Sequence, residues 1–279
     1  MSQDHRLQAQ RFELKYLVTE ELARSIRDFV GGYLELDDYS VGRPKNSYEI
    51  HSVYLDSENL HTHSATVNGD KNRFKLRLRY YGDAPGTPIF FEIKRRQDNC
   101  ILKRRCPVRR EAVPLLLAGQ LPEFGDVLSD EPRHWMALER FNQLQQQLGA
   151  RPKLHNRYLR EAWVGPHDNS VRVTFDRQIH IEPYFGDQPV VAMTRPRRIY
   201  REFVVLELKF TTRHPNWFRL LVERFNLMRS TASKYCGGVS ILGEDLFHTG
   251  NLTACARQLE AHGNETPAPP TLHPTLAYD

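Results

Sequence analysis

Between Arg73 and Tyr80 the chain alternates a cation with an apolar residue, Arg-Phe-Lys-Leu-Arg-Leu-Arg-Tyr. A period of two marks a β-strand, because successive side chains point to opposite faces. One face then carries Arg73, Lys75, Arg77 and Arg79, about 6–7 Å apart. A single such face is usually only a solvated one. Five more stretches, however, carry charges on one face in the same way. Arg11–Tyr16 aligns Arg11, Glu13 and Lys15, and Phe90–Lys94 aligns Glu92 with Lys94. Ile101–Arg105 pairs Lys103 with Arg105 in one of its two registers. Val171–Asp176 aligns Arg172, Thr174 and Asp176, and Val204–Lys209 aligns Glu207 with Lys209. Sparse carboxylates in a cationic lining suit a polyanion with a divalent metal. Arg grips phosphate oxygens in pairs, Lys acts as a point charge, and Glu offers hard oxygen ligands.

These faces must be held together by the rest of the chain. Strands are expected at about 11–17, 50–55, 73–80, 89–96, 100–110, 153–164, 170–180 and 198–210. Consecutive antiparallel strands from 73 to 110 form a meander. Thr19 caps a helix whose first turn carries Glu20 and Glu21 and which stops at Gly31-Gly32. Further helices are expected at 112–118 and 131–148, the latter with Trp135, Leu138, Phe141, Leu144 and Leu148 on one face. His214-Pro215-Asn216 opens another, with Trp217, Leu220, Leu221 and Phe225 inward. A last one covers 233–246, where Gly237-Gly238 permits close packing or a kink. The expected fold is α+β: an antiparallel β-barrel tunnel of about eight strands with a cationic lumen, covered by helices. Closure removes sheet edges. Crowding like charges in a lumen costs free energy unless an anion or water fills it.

Composition sets the bounds. The 279 residues carry a net charge of +5 and 40% hydrophobic residues, enough for a sizeable core. The basic excess is too weak to indicate nucleic acid by itself. Aromatic residues also sit on the apolar face of the ladders rather than among the cations, as base stacking would require. The four cysteines have no metal-site spacing and read as reduced thiols. No apolar run approaches a membrane span and the N-terminus reads as lacking a signal peptide, so a cytoplasmic location is expected. Residues 1–10 read as a polar lead-in and 11–250 as a single tunnel domain with a helical insertion at about 112–148. Residues 262–279 read as a Pro-rich disordered tail.

Seven motifs in order carry a family resemblance. They are Glu13-Leu14-Lys15-Tyr16, Lys75–Arg79, Glu92-Ile93-Lys94, Asn156-Arg157, Val171–Asp176, Leu206–Lys209 and Ser233-Lys234-Tyr235. From about residue 11 to 245 the chain resembles the VTC domain, the polyphosphate polymerase domain of the vacuolar transporter chaperone family within the triphosphate tunnel metalloenzymes. The resemblance implies an antiparallel tunnel with surrounding helices. It implies ATP and polyphosphate or pyrophosphate as ligands, and transfer of the γ-phosphoryl group to a phosphate or polyphosphate end with release of ADP. Arg77, Arg79, Lys94, Arg157, Arg172 and Lys234 would contact the reacting phosphates, with Lys15, Lys75, Lys103, Arg105 and Lys209 as further phosphate ligands. Glu207 would bind Mn²⁺ or Mg²⁺, with Glu13 and Glu92 as the other carboxylates available to a metal. The eukaryotic assemblies carry membrane spans, which leaves room for a membrane-protein partner.

Two positions depart from the wider pattern. Arg11 stands where related hydrolases and cyclases have the first Glu of Glu-x-Glu-x-Lys, which favours polymerisation over hydrolysis. His155 stands where much of the family has Tyr, in an expected lumen contact. The alternatives are a tunnel triphosphatase, releasing orthophosphate, and a polyphosphate- or nucleotide-binding module without turnover.

Overall fold

The computed structural model describes residues 11–248, apart from 99, 168, 169 and 212. The lead-in at 1–10 and the Pro-rich tail lie outside the described residues. Ten strands form one sheet: β1 Phe12–Thr19, β2 Glu35–Leu36, β3 Tyr48–Asp56, β4 Asn72–Tyr80, β5 Ile89–Gln97, β6 Cys100–Val108, β7 Arg151–Val164, β8 Val171–Pro183, β9 Arg197–Arg198 and β10 Phe203–Phe210. The main path runs β1-β10-β8-β7-β3-β4-β5-β6, with β2 on β7 and β9 on β8. Every pairing is antiparallel.

The sheet curls so that its two edge strands approach each other, but it is not a closed barrel. Contact between the edges is a bridge at Arg11 and Ile101, with reciprocal backbone hydrogen bonds of 2.9 and 3.3 Å. The expectation of closure is corrected on this point: among the described residues β1 and β6 form no ladder. The expected single strand at 198–210 also divides. β9 leaves the ladder at Ile199, and Tyr200, at φ 51°, turns the chain before β10 begins. A left-handed residue breaks an extended strand.

Alternation sends apolar residues outward, where helices cover them. Helix α1 (Glu20–Val30) begins at the Thr19 cap, whose side chain accepts from Leu22 N. It buries Ala23, Ile26 and Val30 over Tyr16, Val173, Phe175, Leu206 and Leu208. Helix α2 (His61–Val67) follows β3. The meander is covered by α3 (Val113–Leu117) and α4 (Pro132–Leu148), whose Leu138 and Phe141 meet Leu78, Phe91 and Cys106 in one cluster. Helix α5 (Asn216–Arg224) buries Phe218 and Leu221, while Trp217 stacks on Tyr33. Leu220, expected inward, is about half exposed, and Phe218 takes its place.

Helix α6 (Lys234–Leu242) sits differently, against the inner face. It packs into the end of the curl formed by Tyr54, Leu154, Ile181 and Tyr158. Ser233 caps it, accepting from Cys236 N, and Tyr235 Oη donates to Asp56 at 2.8 Å. Gly238 makes this approach feasible, since a Cβ there would lie 3.1 Å from Leu154 and 3.3 Å from Ile181. The double glycine therefore serves close packing. Gly238→Val should overpack this contact and cost about 1–3 kcal/mol, read as a lowered melting temperature. An unchanged melting temperature would show that α6 does not seat there tightly.

Candidate functional site

The inward face of the curl carries the charges that alternation assigns to it. On β4, β5 and β6 the registers place Lys75 opposite Lys94 and Lys94 opposite Lys103, with Arg77 opposite Glu92 and Glu92 opposite Arg105. On the other side Glu13 lies opposite Lys209, Lys209 opposite Arg172, Lys15 opposite Glu207, and Glu207 opposite Thr174. Stacked like charges on neighbouring strands are destabilising in a bare sheet. Here they surround a common space, with a few carboxylates between them.

Each carboxylate serves several cations. Glu92 is fully buried and lies 2.5 Å from Lys103, 2.6 Å from Arg77 and 3.7 Å from Arg79. Burial opposes its charge, but Lys103, Arg77 and Arg79 outweigh that and hold the carboxyl well below its usual range. Glu207 lies 2.6 Å from Lys209, 3.3 Å from Arg160, 3.5 Å from Lys15 and 3.6 Å from Lys234. Glu13 holds Lys94 at 3.0 Å and Lys15 at 3.2 Å. Asp176 takes both arms of Arg160 at 2.7 Å and Lys234 at 2.5 Å.

Lys75 reaches Thr66 on α2 at 2.7 Å. Arg79 donates through Nη2 to Tyr158 at 3.2 Å, while its buried Nε has no hydrogen-bond partner. Ser52 Oγ and Asn156 Oδ1, opposite each other in register, are likewise buried without a partner. Unpaired buried donors and acceptors cost free energy, and a phosphate oxygen would satisfy the guanidinium.

Most of the expected site residues converge. Lys15, Lys75, Arg77, Arg79, Lys94, Lys103, Lys209, Glu13, Glu92 and Glu207 line the lumen. Arg172 sits toward one mouth, donating to Asp37 at 2.7 Å. Lys234 enters from the N-terminus of α6 and is buried. The register of β6 is resolved: Lys103 points inward and Arg104 is exposed. Arg105 is also exposed and lies over the Phe90 ring at 5.0 Å.

Arg157 does not join the site. It pairs with His51 on the outer face and lies 3.7 Å from Glu49. His155 is on that face too, between His51 Nδ1 at 3.0 Å and Tyr80 Oη at 3.2 Å, so the expected lumen contact there is also corrected. The lumen residues of β7 are Asn156, Tyr158 and Arg160. Arg160 was not expected, because this strand carries an arginine on each face and alternation cannot choose between them. Its partner Asp176 was visible, sharing a face with Arg172.

The donor set bears on a metal. Among the described residues no three His, Cys, Asp or Glu side chains converge on one point. Glu13 and Glu207, on adjacent strands, are bridged by the Lys15 ammonium. One or two carboxylates completed by phosphate oxygens are a donor set that Mg²⁺ accepts, so these residues fit a divalent ion arriving with its phosphate ligand.

The fold and site together define a tunnel protein, with an antiparallel sheet curled around a buried cationic lumen. Residues 10–243 match the family model of the VTC domain, and the chain belongs to that family. It is 23% identical over 231 residues to vacuolar transporter chaperone complex subunit 4 of Schizosaccharomyces pombe, a match covering 70% of this chain. The chain spans about a third of that relative's length, 32% of it being matched. Solved structures with a related outline include a candidate adenylate cyclase of Bacillus halodurans, at 12% identity and TM-score 0.47 over 79% of this chain and 91% of that one. A protein of Pyrococcus horikoshii matches at 12% identity and TM-score 0.42, over 81% and 96% of the two chains. No helix of the described residues is long and apolar enough to cross a membrane.

Two lysines give the lumen a pH dependence. Burial, only partly offset by Glu92, pulls Lys103 down to about 7. Burial likewise outweighs Glu207 at Lys209 and brings it to about 7. A bound anion favours the charged forms and raises both values. Polyanion binding at pH 8 should therefore take up protons, and affinity should weaken as pH rises above about 7. Calorimetry in two buffers of different ionisation enthalpy measures the uptake, and identical heats would contradict it. Glu92→Ala leaves three cations facing one another and should cost about 3–5 kcal/mol. Denaturant unfolding without ligand checks that loss.

Proposed function

We propose that the tunnel binds the triphosphate of ATP beside the end of a phosphate or polyphosphate acceptor and transfers the γ-phosphoryl group between them. The observation that carries this reading is the excess of inward cations. Lys15, Lys75, Arg77, Arg79, Lys94, Lys103, Arg160, Arg172, Lys209 and Lys234 face Glu13, Glu92, Asp176 and Glu207. Membership of the VTC family supports phosphate chains as the polyanion.

The reaction balances without an added base. An anionic oxygen of the acceptor phosphate attacks the γ-phosphorus, the bond from that phosphorus to the β,γ-bridging oxygen breaks, and ADP leaves with the electron pair. The acceptor oxygen carries no proton that must be removed. Such transfer depends on positioning and on stabilising charge in the transition state. Arg77, Arg79 and Arg160 supply planar donors fixed by Glu92, Asp176, Tyr54 and Tyr158. Lys94, Lys103, Lys209 and Lys234 supply point charges. Mn²⁺ or Mg²⁺ held by Glu207 and Glu13 would screen repulsion between acceptor and donor phosphates. Glu92, with three cations on it, serves to balance charge.

A second reading follows from the same ion pairs. Every lumen carboxylate is already engaged by cations, which favours polyanion binding without turnover.

Incubation with γ-labelled ATP and Mn²⁺, followed by gel electrophoresis, separates the readings. A ladder of labelled polymer is expected. Free labelled phosphate alone would indicate a triphosphatase, and bound but unchanged ATP a binding module. Arg77→Ala and Glu207→Gln should each lower the rate by about 100-fold or more. Wild-type rates in both would overturn the site assignment.

A further inference from the structure

The mouth of the tunnel at the start of β3 and β5 carries a row of aromatic rings that phosphate binding does not use. Tyr39, in the loop after β2, is 6.1 Å from Tyr48 between ring centroids. Tyr48 is 6.2 Å from Tyr81, and Tyr81 is 6.1 Å from Phe90. Tyr39 is 70% exposed and Tyr81 42% exposed, so these two rings are not core. The three pairs are inclined at 52°, 51° and 77°, and none is stacked face to face. The exposed rings therefore do not cover one another's faces.

The row is continuous with the phosphate-facing cations. Tyr48 is the register partner of Arg160, and Phe90 is the register partner of Arg79. Arg172 Nη2 lies 3.4 Å from Tyr48 Oη. Arg105 lies over the Phe90 ring at 5.0 Å and is exposed to solvent at the same mouth. An anion held by Arg79 and Arg160 would thus have its outer end beside these rings. Aromatic faces next to guanidinium groups form a platform for a flat heterocycle.

We propose that Tyr39 and Tyr81 form a stacking site for the nucleobase of the triphosphate donor, with Arg105 at its edge. The inference rests on the tunnel reading above and extends it. The phosphate chain is gripped inside by charge, and the base is held at the mouth by stacking. It follows that the site distinguishes a nucleotide from a bare phosphate chain, which lumen cations alone cannot do. An acceptor polyphosphate, having no base, gains nothing from the row.

The test compares ATP with tripolyphosphate, each titrated calorimetrically into wild-type protein and into Tyr39→Ala and Tyr81→Ala variants. Both side chains are substantially exposed, so the fold should tolerate their truncation, and Tyr81→Trp keeps a ring in place. The alanine variants should lose about tenfold in ATP affinity and keep their tripolyphosphate affinity, while Tyr81→Trp should retain ATP binding. Unchanged ATP affinity, or equal losses for both ligands, would overturn the base site. In that case tight tripolyphosphate binding by the wild type would leave the tunnel reading standing. A wild-type protein that binds neither ligand would overturn both.

Discussion

The structure depends on one electrostatic constraint: a lumen lined by more cations than its carboxylates can neutralise. Glu92, Glu207, Glu13 and Asp176 each bridge two or more basic side chains. They hold those chains in place without cancelling the excess. Ion pairs this buried repay their desolvation only when geometry and further hydrogen bonds are good. The resting tunnel keeps unsatisfied groups instead, among them Arg79 Nε, Ser52 Oγ and Asn156 Oδ1. An anion with several oxygens offsets the excess charge and accepts from Arg79 Nε and Ser52 Oγ, whereas Asn156 Oδ1 is itself an acceptor and needs a donor. The apolar outer face and its helices then act as the frame that keeps the charges facing one another.

Much of this could be read in the chain, and the reason is the period of two. Where a strand is cationic on one face and apolar on the other, as at Lys75–Tyr80 or Leu206–Lys209, alternation fixes which residues face inward. It also fixes the covering helices, because the apolar face needs partners. Alternation is silent where that contrast is missing. Arg157 and Arg160 sit on opposite faces of β7, and only pairing with Asp176 reveals which faces the lumen. The aromatic row escaped for another reason. Tyr39 and Tyr81 lie outside the strands and Tyr48 begins one, while Phe90 shares the cationic face of β5 with Glu92 and Lys94, which corrects the expectation that aromatic residues keep to the apolar face.

Two irregularities shape the ends of the tunnel. The register shift beside Gln178, at φ 50°, lets Ile179 and Ile181 turn inward after Asp176 and makes an apolar seat for α6. The break at Tyr200 separates β9 from β10 and places the Tyr200 hydroxyl against Gly237. One end therefore takes a helix bearing Lys234, and the other keeps solvent-facing aromatic rings. Among the described residues the curl is joined along β1 and β6 by the Arg11–Ile101 bridge and by no ladder.

The most direct test of the central claim is thermal unfolding at low ionic strength with and without tripolyphosphate. At about 100 times its dissociation constant a ligand specific to the folded state adds roughly 2.7 kcal/mol. For a chain of this size that corresponds to a rise of about 5–10 °C in melting temperature. A rise of that order, fading as salt screens the charges, is the result expected of a charge-frustrated tunnel. An unchanged melting temperature with saturating tripolyphosphate would mean that the lumen cations are already neutralised and that the tunnel is not a polyanion site.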